Sequence, residues 1–238
     1  MILKRGTKRF YQTVAVAPME SGYAITLDGK ALRTPASANL ILTHRPLAEA
    51  IAQEWHGQGE WIEPDTMPLT RYANTVIDRV APRREQLVAE LAKFAGHDLL
   101  CYREAATAEL MRRQAAAWDR WLAWVAEHYD AEFAIGQGVT HVEQSPEALE
   151  RLRRAIAAHD AHRLAVLHAG ITITGSAILG LAFVARALDS EAAFAASRVD
   201  EAYQAELWGR DGEAEAREAR LLADLKAAEY YLSLLLPA

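Results

Sequence analysis

The chain has 238 residues, a formal net charge of −6, 51% hydrophobic and 24% charged residues, the proportions of one or two folded domains and not of a disordered segment. That charge gives no overall attraction to nucleic acid or anionic lipid. One cysteine, Cys101, makes neither an internal disulfide nor a thiolate cage, as expected in a reducing compartment.

The start, Met1 to Arg9, is basic but carries no apolar core of a secretory signal. Phe10 to Val16 and Tyr23 to Leu27 have strand chemistry. Asp28-Gly29 between the latter and Lys30 to Thr34 predicts a hairpin, because a type I′ turn needs positive φ at both central residues. Pro35 ends that strand, and Asn39 to Thr43 supplies another. A helix over Pro46 to Trp55 follows, with Leu47, Ile51 and Trp55 on one stripe, stopped by Gly57 and Gly59. The prolines at 64 and 68 stiffen the next segment, and a domain change is placed there.

Beyond it the period becomes helical. A connector helix runs from Leu69 to Val80. Leu87, Leu91 and Phe94 mark a second helix, and Met111, Ala115, Trp118, Leu122 and Val125 a third. Phe133 to Glu143 reads as a loop with a short strand at Val139 to Val142. Ser145-Pro146-Glu147 is a helix start, with a hydroxyl cap, proline in the first turn and an acid beside it. Ala169 to Ala185 reads as one buried helix, short of the ~20 apolar residues that a membrane span needs. Helices over Glu191 to Trp208 and along Leu221, Leu225, Ala228, Leu232 and Leu235 complete the chain. The expected fold is α+β: a small N-terminal antiparallel sheet with a helix (residues 1–68), then a larger all-α domain (69–238).

Catalytic signatures are missing. His159, His162 and His168 invite a metal-dependent hydrolase, yet no His-Glu-x-x-His pattern supplies the ligand set. Gly175-Ser176 lacks a nucleophile elbow, neither glycine-rich phosphate loop is present, and Cys101 reads as a small core hydrophobe. Of the six tryptophans, Trp55 and Trp118 read as core, while Trp121 and Trp124 flank a core stripe. In the segment Ser197 to Gly209 an apolar stripe (Ala192, Ala195, Val199, Tyr203, Leu207) is accompanied by a second one. That second stripe is Ser197, Glu201, Gln204 and Trp208, with Asp200 beside it. On physics alone it is a solvated face. A tryptophan on a polar stripe also suits a partner-binding strip.

Several blocks share a colinear order with one family: Arg9-Phe10-Tyr11; Leu27-Asp28-Gly29-Lys30 with Thr34-Pro35; Glu54-Trp55 and Gln58; Met67-Pro68-Leu69-Thr70 with Asn74 and Asp78-Arg79; Asp98 to Arg103; Gln114 with Trp118; Gly175-Ser176; and Asp200-Glu201, Gln204 and Trp208-Gly209. In these the chain resembles the ATP synthase assembly chaperones that bind the free α subunit of the catalytic head. The resemblance implies a small α/β part followed by a helical part, no catalysis and no cofactor. It implies a chaperone that keeps the α subunit of F-type ATP synthase from aggregating and hands it to the β subunit; a monomer is expected. It assigns a functional role to the acid at Glu201. His56 departs from the pattern, standing where the family often has an acid. The expected location is the bacterial cytoplasm, or the mitochondrial matrix in eukaryotic relatives, with no stable membrane insertion and no nucleic-acid partner.

Overall fold

The structure is a computed structural model that describes residues 7–138, 140–209 and 211–235. It divides into two compact units, Met1–Arg84 with Tyr230–Ala238, and Glu85–Glu229.

The first unit is built on antiparallel strands. β1 (Thr7–Lys8) pairs with β6 (Trp61–Ile62), and β2 (Val14–Met19) pairs along its length with β3 (Gly22–Leu27). β3 also pairs with β4 (Lys30–Ala31) and β5 (Ile41–Leu42). The β3–β4 turn has the expected backbone: Asp28 lies at φ 49° and Gly29 at φ 78°. The Asp28 carboxylate does further work, accepting from the backbone N–H and hydroxyl of Thr13 at 2.8 and 2.9 Å. The β2–β3 hairpin turns through Glu20-Ser21, a pair without the Asn-Gly or Asp-Gly signature, and so was not anticipated.

Helix α1 (Arg45–His56) buries Leu47, Ile51 and Trp55 as its spacing predicts. The expected connector helix is α2 (Pro68–Thr75), continued by a wider π-type turn over Val76–Val80. This segment belongs to the first unit, so the observed division differs from the split expected after Pro68. The reason is polar. Glu54 of α1 accepts from the backbone N–H groups of Leu69 and Thr70 at 2.7 and 2.8 Å, filling the orphan donors of the α2 N-terminus. Asp78 accepts from the Thr34 hydroxyl at 2.6 Å and the Ala36 N–H at 3.0 Å.

The second unit is helical. Helix α3 (Arg84–Ala92) leads through 3₁₀ turns to β7 (Tyr102–Arg103), which pairs in parallel with β8 (Gly136–Gln137). The strand expected at residues 139–142 is absent from Thr140 to Val142, and Val139 lies outside the described residues. Helix α4 (Ala108–Tyr129) runs for 22 residues, and α5 (Pro146–Ala157) starts as read, with the Ser145 hydroxyl accepting from Ala148 N–H at 3.0 Å. The single buried helix expected over residues 169–185 is two, α6 (Ala161–Thr174) and α7 (Ala177–Val184). Gly175 closes α6 in the left-handed region at φ 72°, and Ser176 caps α7 by accepting from Leu179 N–H. The small residues then serve close packing, for a Cβ at Gly170 would meet the Gly180 Cα at 3.3 Å.

Asp98 ties this region together from complete burial. Its carboxylate accepts from the Ser176 hydroxyl (2.7 Å) and from the N–H groups of Ile178 (3.0 Å) and Leu100 (3.1 Å). Cys101 is buried beside it, and burial pushes its thiol up to about 12, consistent with a core hydrophobe and not a nucleophile. The chain ends in α8 (Ser190–Ser197), α9 (Val199–Trp208) and α10 (Gly212–Ser233). No helix among the described residues is long and apolar enough to cross a membrane.

Candidate functional site

The segment Glu191 to Trp208 is not one helix. It breaks at Arg198, whose backbone sits at φ −119°, ψ 21° between α8 and α9. The break resets the helical phase, so the apolar stripe expected across both halves does not exist. Ala195 and Leu207 are exposed, whereas Ala193, Ala196 and Ser197 are buried. Arg198 fixes the junction. It donates to the Ile173 carbonyl at 2.8 Å and to the Glu201 carboxylate at 3.0 Å, and lies over the Phe194 ring.

Helix α9 has no buried residue and is held on α4 largely by polar contacts. Gln114 donates to Asp200 at 2.7 Å, and the Arg113 guanidinium forks onto both carboxylate oxygens of Glu206 at 2.8 Å. The same guanidinium lies 5.2 Å from the Tyr203 ring centroid. Asp200, Tyr203 and Glu206 therefore form the inward stripe. One turn below, the Trp118 indole donates to the Ala196 carbonyl at 2.6 Å.

The outward stripe is Glu201, Gln204 and Trp208, all exposed, with Trp208 at 78%. They line a groove of about 340 Å³ that continues along Asp211, Glu215 and Glu218. Ala202, Ala205 and Ala214 add small apolar side chains to its lining, and Arg198 stands among its acids. Gly209 closes α9 at φ 88°, ψ 169°, a backbone that only glycine adopts without strain.

Of the five residues expected to form a strip, three come together on this surface. Two do not. Ser197 is 3% exposed and its hydroxyl donates to the Phe194 carbonyl at 2.8 Å, because it ends α8 and does not begin the outward face of α9. Asp200 points the other way, to Gln114. Burial raises its carboxyl pKa, the Gln114 donor lowers it, and the charges of Glu201 and Glu104 raise it again. Gln114 is the residue that spacing overlooked. Its amide also accepts from the Glu104 N–H at 2.8 Å, so one buried side chain couples the α4 entry loop to α9. The signal was a glutamine four residues before Trp118. The buried stripe of α4 is in fact Leu110, Gln114, Trp118, Trp121 and Val125, not the set beginning at Met111. Trp124 is half-buried beside it.

Among the described residues no group of three or more His, Cys, Asp or Glu side chains could hold a metal ion. Burial lowers the pKa of both His159 and His168, favouring neutral rings.

A family model described as ATP12 chaperone protein matches residues 8–126. The crystal structure of Atp12 from Paracoccus denitrificans superposes with a TM-score of 0.93 at 43% identity, covering 95% of this chain and 97% of that one. The chain belongs to the ATP12 chaperone family. Its N-terminal strands, α2 and most of α4 fall within the family match, whereas α9 with its groove lies beyond it and is reached by the structural superposition. A solved structure from Agrobacterium tumefaciens has a TM-score of 0.91 at 39% identity, covering 96% of this chain and 86% of that one. The mitochondrial protein atp12 of Schizosaccharomyces pombe is 23% identical over 220 residues, 85% of this chain and 74% of the relative.

Proposed function

We propose that this ATP12-family chaperone assembles F-type ATP synthase by binding its unassembled α subunit, preventing aggregation and passing it to the β subunit. The reading needs no catalysis and no cofactor, and places the protein in a bacterial cytoplasm as a monomer. It rests on family membership. One observation supports placing the contact on α9, the 78% exposure of Trp208 beside the exposed Glu201 and Gln204.

The physics suits a holder that must let go. An unassembled subunit exposes the apolar surface that its neighbour covers in the finished head, and such a patch drives aggregation. Covering Trp208 on a partner would contribute about 4 kcal/mol of area burial before ordering costs. Glu201 and Gln204 add polar contacts at the rim, which favour register and fast encounter over tenacity. The β subunit then displaces the chaperone by differential affinity, without nucleotide hydrolysis by the chaperone itself.

The test is an aggregation assay on refolding α subunit, read by light scattering. Stoichiometric chaperone should suppress scattering, and added β subunit should release the α subunit into an αβ complex. Undiminished scattering would remove the proposal.

A further inference from the structure

The ties that hold α9 are unevenly spread along it. They step backward along α4 as the chain advances through α8 and α9: Trp118 donates to the Ala196 carbonyl, Gln114 to Asp200, and Arg113 to Glu206. The first turn of α9 is held twice, by Gln114 on Asp200 and by Arg198, which links Glu201 to the Ile173 carbonyl. The later turns depend on Arg113. Its Nη1 donates to both carboxylate oxygens of Glu206 at 2.8 Å, and its guanidinium lies 5.2 Å from the Tyr203 ring centroid. Among the described residues, no other hydrogen bond, ion pair or ring contact joins residues 203–208 to another element.

Such a helix does not hold itself. It has ten residues and buries none of them, and isolated helices shorter than about 12–15 residues are marginal in water. Arg113 is suited to hold it. Its Nε already donates to Glu109, one turn back on α4, at 2.8 Å, so the guanidinium is aimed before Glu206 meets it and loses little further freedom. Trp208 follows Glu206 by two residues and is 78% exposed. Its place in solvent is the one that the end of α9 gives it.

We infer that Arg113 is the positioning residue of the α9 strip. By seating Tyr203 and Glu206 on α4 it keeps the later turns of α9 in place and presents Trp208, without itself touching the partner. The inference rests on the reading that α9 is the contact. Without this seat the end of α9 frays, and a partner must order it before covering Trp208. Apparent affinity then falls with the fraction of chains ready to bind.

The experiment compares the parent chain with Arg113→Met, Glu206→Ala, their double variant and Arg113→Lys. Amide exchange by NMR on the free chain reads the seat, and calorimetry with purified, unassembled α subunit reads binding. Exchange along residues 203–208 should quicken about three- to fivefold in Arg113→Met and in Glu206→Ala, the effect of one lost exposed ion pair, while α4 keeps its protection. For a helix already near fraying, affinity should fall about two- to fivefold in each. The double variant should be no weaker than either single one, because the two residues act as a unit. Arg113→Lys, whose ammonium reaches the same carboxylate, should recover part of the loss. Unchanged exchange, a loss of protection spread over α4, unchanged affinity, or an Arg113→Lys chain that binds no better than Arg113→Met would each overturn the inference. Losses that add in the double variant would overturn it too, since they mark residues that touch the partner directly. An α subunit that fails to bind the parent removes the reading of α9 as the contact, and the exchange rates then decide the seat by themselves.

Discussion

Gln114, on the buried stripe of α4, donates its amide N–H to the half-buried carboxylate of Asp200 at 2.7 Å while its own oxygen accepts from Glu104 N–H at 2.8 Å. That one side chain sets the rotation of α9. With Asp200 turned inward, Glu201, Gln204 and Trp208 must face out. Gln114→Leu leaves two groups without their partner at nearly unchanged volume. It should lower stability by about 1–3 kcal/mol in denaturant unfolding. Amide exchange should accelerate most along Val199–Trp208, the helix with no buried residue of its own.

Asp98 makes stability depend on pH in an unusual direction. Desolvation pushes its carboxyl up to about 6, against the hydrogen bonds from Ser176, Ile178 and Leu100. A carboxyl with a higher pKa folded than unfolded binds its proton more tightly in the native state. Its contribution is therefore fully present below the unfolded pKa and is lost as pH rises through about 6. Relative to Asp98→Asn, the parent chain should gain about 2–3 kcal/mol between pH 7 and pH 4. His159 and His168, whose folded pKa values are lowered, work oppositely in both proteins and cancel in that difference. Parallel stability curves for the two proteins would refute the assignment.

The packing of α6 against α7 has no room to spare at Gly180. A Cβ at Gly180 would meet Ile171 Cγ1 at 2.4 Å and the Ile171 backbone nitrogen at 3.1 Å. Gly180→Ala should cost about 1–3 kcal/mol through overpacking, despite alanine's better helix propensity. A thermal melt shows it directly.

Trp55 closes the sheet-facing side of α1, with Tyr11 edge-on to its ring at 5.7 Å and the Tyr11 hydroxyl on the Trp55 carbonyl at 2.6 Å. Trp55→Arg places a charge at a 3% exposed position and should cost several kcal/mol, of order 3–5, with loss of soluble yield. An unchanged denaturant midpoint would contradict this placement.

What could be read from the sequence was whatever depends on local chemistry. Asp28-Gly29 declared its turn, Ser145-Pro146 its helix start, and Leu47, Ile51 and Trp55 their common face. Periodicity misled where two helices follow without a loop. Gly175-Ser176 looked like small residues inside a buried helix, yet glycine in the left-handed region followed by a serine cap is how one helix ends and the next begins. Arg198 gave less warning, having no glycine or proline, and the break there moved Ser197 into the core. Gln114 and Asp98 were invisible to spacing because their partners lie 86 and 78 residues away. Only a fold brings those groups together.

The central claim is that the outward face of α9 holds the free α subunit. Its most direct test is the affinity of purified, unassembled α subunit for the parent chain, Glu201→Lys and Trp208→Ala, measured by calorimetry beside each variant's unfolding midpoint. Both positions are exposed, so the midpoints should stay put. Binding should weaken at least about tenfold in each variant, the loss expected for a residue central to an interface. Variants that bind the α subunit as tightly as the parent would contradict the account.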